Sequence, residues 1–170
     1  MTTDSDKDAV QLPDDLKWRL QKADGYIDLK MYGKAHAELA EIPAKQQGES
    51  VVKLIHLRLA MEEQDWRLAV TLSEEMRDLM PKNPGFWIQH AYAKRRAEGL
   101  DAAYGILKEA IRRFPREPVI PYNLACYECR LGRQNEALEF LKRAFDLDPA
   151  YRETALEDDD LEPLWDRISS

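Results

Sequence analysis

The sequence predicts an all-α solenoid of four helix pairs closed by a C-terminal capping helix, and three observations lead there. Ala35, Ala69, Ala103 and Ala137 are spaced by 34 residues, and Pro81, Pro115 and Pro149 keep the same step. Two unrelated residue types on one period mark an internal repeat. From Leu12 onward the pattern is helical, and the 170-residue chain is 44% hydrophobic and 34% charged, apolar enough for a continuous core. No apolar run approaches the roughly 18 residues that would suggest a membrane span. Four such units fill most of the chain and leave no room for a second globular domain.

The fourth unit carries the pattern most fully, as PVIPYNLACYECRLGRQNEALEFLKRAFDLDP. Leu124 and Ala125 stand side by side in its first helix, Gly132 at the turn, Ala137, Leu141 and Ala144 along the second helix, and Pro149 at the end. This arrangement resembles the tetratricopeptide repeat, which implies a right-handed superhelix of paired antiparallel helices. The close approach of each pair follows from small residues at the contact, since interhelical distance depends on side-chain bulk there. A closing proline cannot continue the helix it ends.

On that pattern residues 1–11 read as a disordered acidic tail, polar, charged and aperiodic. The array covers 12–150, with units at about 16–49, 50–83, 84–117 and 118–150. The first unit keeps Ala23, Tyr26, Ala35 and Leu39 but places Pro43 early and Gln47 where the closing proline should stand, so its second helix should end near Ile42. The second keeps Ala69 and Pro81 but has Leu57 and Met76 where small residues are usual, which predicts a slightly wider helix spacing. The third has Trp87, Ala91, Ala103, Leu107, Ala110 and Pro115, with Gly99 one residue later than the usual turn glycine. In 151–170, Leu161, Leu164, Trp165 and Ile168 are spaced i, i+3, i+4, i+7, with Asp160 as the expected N-cap and Pro163 in the first turn. This is the expected capping helix, covering the apolar end of the last repeat. The segments YNLACYECRLG and LEDDDLEPLW together resemble the closing part of many bacterial tetratricopeptide proteins.

The net charge of −7 resides at the two ends, while the middle of the chain is nearly neutral. That distribution argues against nucleic-acid binding, which needs a dominant cationic surface. The first twenty residues lack a basic start and an apolar run, so no cleaved secretion signal is expected and the cytoplasm is the expected location.

Cys126 and Cys129 form a C-x-x-C, but they fall in the second half of a first helix, away from the helix N-terminus where a redox thiolate is stabilised. They read as packing residues, and His36, His56 and His90 have no metal-pair spacing. His56 and His90 share one repeat position, normally apolar, and read as packing histidines rather than a pH-sensitive stack. The acidic run Asp158-Asp159-Asp160 lacks the spaced ligands of a calcium loop and reads as a turn before the cap.

The remaining candidate is the concave groove that the resemblance implies, built from the first helix of each pair. The first two repeats supply Lys17, Leu20, Gln21, Asp24, Leu54, Ile55, Arg58, Met61 and Glu62, a mixed and partly apolar set. The last two supply Ile88, Gln89, Tyr92, Arg95, Arg96, Tyr122, Asn123, Cys126, Cys129 and Arg130. Arg58, Gln89, Tyr92, Arg95, Arg96, Tyr122, Asn123, Cys126 and Arg130 are the expected binding residues, an inventory suited to an extended segment with acidic side chains or a terminal carboxylate. Relatives that clamp the EEVD carboxylate of heat-shock chaperones use lysine, asparagine and arginine at groove positions held here by Leu20, Asp24, Ile55, Gly85 and Gln89, so that ligand is disfavoured.

The expected function is therefore a non-catalytic protein-interaction scaffold with a protein or peptide partner. No cofactor, metal, nucleic acid, membrane or small-molecule ligand is expected. Two alternatives stand beside it: a secretion chaperone of the same repeat type, and a redox or metal protein using Cys126 and Cys129.

Overall fold

The computed structural model describes residues 12–169; the acidic tail expected over 1–11 lies outside them. Every regular element among these residues is helical, and the chain divides into two compact units, one ending at Asp65 and one starting at Trp66.

In the first unit, α1 (Asp14–Asp28) packs antiparallel on α2 (Tyr32–Ala40), and α3 (Ser50–Glu62) lies against both. Leu16, Leu20, Ala23 and Ile27 recur at helical spacing on the buried face of α1. Ala23 and Ala35 are fully buried, which lets the two backbones approach. The second helix ends at Ala40, two residues before the expected stop, because Pro43 biases the chain before it away from helical geometry. Gln47, standing where the repeat usually has proline, does different work: its Nε2 donates to the carbonyls of Leu39 and Ile42, each at 2.9 Å, and so satisfies acceptors left open by the end of α2.

In the second unit, α4 (Trp66–Leu79), α5 (Pro84–Glu98), α6 (Leu100–Arg113), α7 (Val119–Arg130) and α8 (Gln134–Leu147) pack each against the next. Ala91, Ala103, Ala110, Ala125, Ala137 and Ala144 are all buried in one core, with Leu107, Leu124 and Leu141 filling the space beside them. Asn83 caps α5 by accepting from the Gly85 N–H at 2.9 Å, and Pro84 takes the first helical position, where its missing N–H costs nothing.

The turn within each pair needs a residue at positive φ. Gly132 (φ 77°) and Gly99 (φ 100°) supply it without strain, but Lys30 (φ 55°) and Gln64 (φ 60°) hold a positive φ with a side chain attached.

The capping segment differs from the single helix expected of it. It consists of α9 (Tyr151–Leu156), a 3₁₀ helix over Asp159–Leu164 and the one-turn α10 (Trp165–Ile168). Leu161 and Leu164 are three residues apart, matching the three-residue period of a 3₁₀ helix, and both are fully buried. The N-cap is Asp158 rather than Asp160: its Oδ1 accepts from the Asp160 N–H at 3.0 Å. Trp165 is only partly buried, with its indole N–H donating to the Ala155 carbonyl at 3.0 Å.

Candidate protein-binding site

On α5, Gln89, Tyr92 and Arg96 are spaced i, i+3, i+7 and share one stripe, while Arg95 projects beside it toward the cap. On α7, Tyr122, Cys126 and Cys129 form the corresponding buried stripe, with Arg130 at its exposed end. The two stripes have different surroundings.

The C-terminal acidic turn lies against the α7 stripe. Tyr122 donates its hydroxyl to Asp158 Oδ2 at 2.7 Å, and Cys126 Sγ approaches the same oxygen at 3.5 Å. Arg95 donates to Asp160 Oδ2 at 2.5 Å, and Arg130 Nε lies 3.7 Å from the other Asp160 oxygen. Four expected partner-binding residues, Arg95, Tyr122, Cys126 and Arg130, thus contact carboxylates of the chain itself.

The stripe of Tyr92 and Arg96 faces solvent. Tyr92 is 42% exposed and meets Trp66 edge-on, with ring centroids 5.7 Å apart. The Arg96 guanidinium lies over the same indole, 4.8 Å from its centroid. Trp66, the first residue of α4, lies on a second helix and so falls outside the first-helix positions that the repeat assigns to the groove; an aromatic residue opening a second helix is its sequence signal. Gln89 and Asn123 are half-buried, and among the described residues no donor reaches the buried Oε1 of Gln89.

Arg58 belongs to the first unit and donates to both Asp24 and Asp28. Beside it, Leu12, Leu20, Val51, Leu54 and Ile55, with Lys17, Gln21 and Asp24, line an open cavity of about 300 Å³.

The thiols lack the setting of reactive cysteines. Burial, with the nearby charge of Asp158, pushes the Cys126 thiol well above its ordinary range, and burial with Asp160 raises Cys129. A nucleophilic or metal-binding thiolate needs the opposite shift. Burial also pushes the Tyr127 phenol up to about 12. Among the described residues no cluster of three or more His, Cys, Asp or Glu side chains is placed to hold a metal ion.

Ser73, His90 and Glu128 are the buried polar residues among those described in this unit. His90 is 1% exposed, and its Nδ1 lies 3.0 Å from Ser73 Oγ, which itself donates to the Val70 carbonyl; the ring therefore donates to Ser73. Glu128, equally enclosed, accepts from the Tyr104 hydroxyl, and Arg133 Nε stands 2.9 Å from its second oxygen without the alignment of a hydrogen bond.

The helical pairing on a fixed period agrees with solved structures. The 41-to-end form of MamA from Desulfovibrio magneticus RS-1 superposes with a TM-score of 0.68 over 78% of this chain and 75% of its own, at 14% identity. The fold is the tetratricopeptide-repeat solenoid. MamA from MSR-1 gives a TM-score of 0.65 at 21% identity, covering 78% of this chain and 76% of that one. MamA from AMB-1 gives 0.62 at 22%, covering 76% of each. No protein-family model matches this repeat protein, and no curated protein matches it. No helix among the described residues is long and apolar enough to cross a membrane.

Proposed function

We propose that this repeat protein is a non-catalytic protein-interaction module, and that the face made by Trp66, Tyr92 and Arg96, with Gln89 and Asn123 beside it, takes an extended acidic segment of a partner. The observation that carries the reading is the exposed Arg96 stacked on Trp66 beside an exposed Tyr92. An aromatic pair in edge-on contact with a cation over the indole is chemistry that anchors protein interfaces. The exposed Arg96 guanidinium presents donors to an incoming carboxylate. The repeat fold supports this role, because its elements scaffold a surface rather than converge on a reacting atom. The thiol environment gives no support to the redox alternative.

The test is capture of partner proteins by the wild type and by the Tyr92→Ala, Arg96→Ala double variant side by side. A partner held by the wild type should lose roughly 2–5 kcal/mol of affinity to the double variant if the charge contact is desolvated. Equal affinity for both proteins would reject this face.

A further inference from the structure

The C-terminal turn makes contacts of two kinds with α5 and α7. Asp158 is built in: it caps the 3₁₀ helix, accepts from Tyr122 at 2.7 Å and sits beside the buried Cys126. Asp160 is not. Among the described residues its side chain pairs with two guanidinium groups, Arg95 at 2.5 Å and Arg130 at 3.7 Å, and the Arg130 side chain is 60% exposed. The backbone beneath it is anchored independently, by the fully buried Leu161 and by the Asp160 N–H donated to Asp158. Rotation of one side chain therefore releases both arginines without unpacking the cap. A partly exposed ion pair contributes little net stability, so exchange for another carboxylate is energetically accessible.

We propose that Arg95 and Arg130 form a second carboxylate-binding site, that Asp160 is its internal occupant, and that acidic side chains of an extended partner segment displace Asp160 from it. This inference rests on the protein-binding reading of α5 above and extends it to α7. The charge complementarity is already present within the chain: two cations on neighbouring first helices converge on one carboxylate, a geometry that an incoming Asp or Glu reproduces. Asp160 then sets the threshold for binding, because a weakly acidic segment does not outcompete a carboxylate held in place by the fold.

The experiment is a fluorescence-anisotropy titration with a labelled Glu-Asp-Asp-Asp-Leu peptide, the sequence of residues 157–161, N-blocked and C-amidated so that only side chains carry charge. Asp160→Asn should bind it roughly threefold or more tightly than the wild type, the gain expected from removing a competing partly exposed pair. Asp159→Asn, at an exposed position, should bind as the wild type does, and adding Arg95→Ala to Asp160→Asn should abolish the gain. Circular dichroism melts establish that each variant is folded, and Asp160→Ser repeats the test if Asp160→Asn is not. Equal binding by the wild type and Asp160→Asn, or binding by neither, would overturn the proposal. If that happens while Tyr92→Ala, Arg96→Ala still weakens partner capture, the protein-binding reading stands and only the role of Asp160 falls.

Discussion

Arg95 on α5 and Asp160 in the capping segment are 65 residues apart in sequence and 2.5 Å apart in space. Their contact ties the closing turn to the first helix of the third repeat, on the face where the sequence places a partner. The stability of the cap should come from elsewhere. Asp160→Asn should cost about 1 kcal/mol or less, as partly exposed ion pairs do. Leu161→Ala and Leu164→Ala should each cost about 2–5 kcal/mol, since both side chains are fully buried. Trp165→Ala should cost less than either leucine change, because its ring is only partly covered. Denaturant titrations of the four variants check this order.

The alanine period makes a second prediction. Ala103 and Ala137 are fully buried between paired helices, so Ala103→Leu and Ala137→Leu should each destabilise by about 1–3 kcal/mol through forced bulk. Ala97 on α5 is exposed, and Ala97→Leu should stay within about 0.5 kcal/mol of wild type. Thermal melts that do not separate the buried pair from Ala97 would contradict the packing described here.

The turns make a third. Lys30 and Gln64 sit at φ 55° and 60°, where a Cβ is strained. Lys30→Gly and Gln64→Gly should each stabilise by about 0.5–1 kcal/mol, the relief of strain exceeding the extra freedom glycine brings to the unfolded chain. Gly132→Ala, at φ 77°, should destabilise by about 1 kcal/mol. Chemical denaturation at one pH and temperature suffices.

Much of this architecture is legible in the sequence because it rests on side-chain size at fixed intervals. Ala35, Ala103 and Ala137 announce where helices must touch, and Pro115 and Pro149 where they must stop. Other features depend on long-range or side-chain-specific contacts that periodicity does not encode. Gln47 satisfies carbonyls through its side-chain amide, a task invisible to a consensus that expects proline there. Lys30 and Gln64 take a glycine conformation without being glycine. The candidate site is least legible: the sequence assigns Arg95, Tyr122, Cys126 and Arg130 to a partner's acidic segment, whereas in the structure they meet Asp158 and Asp160 of the chain itself, and the spacing of residues 158–160 gives no sign of that contact.

His90 supplies a pH-dependent prediction. Burial lowers its pKa below the ordinary histidine value, with the charges of Arg77 and Lys94 acting in the same direction and Glu74 and the Val70 carbonyl opposing them. The folded state thus binds a proton less readily than the unfolded chain. The stability linked to His90 is fully present above the unfolded pKa near about 6.5 and is lost as pH falls below it toward the folded value. Denaturation midpoints between pH 7.5 and pH 5, values chosen to bracket about one unit or more on either side of that pKa, should fall in the wild type. The fall should be smaller in His90→Gln, which cannot take up a proton. An equal fall in both proteins would assign the pH response to other groups.

The most direct measurement of the proposed binding face is photocrosslinking from position 92. A photoreactive phenylalanine in place of Tyr92 retains the ring beside Trp66 and reports whatever lies against it. A binding face here predicts ultraviolet crosslinks to the partner's acidic segment from position 92, weakened by Arg96→Ala and by raised salt. Crosslinks from a probe at Leu54 in the first unit, with none from position 92, would contradict it.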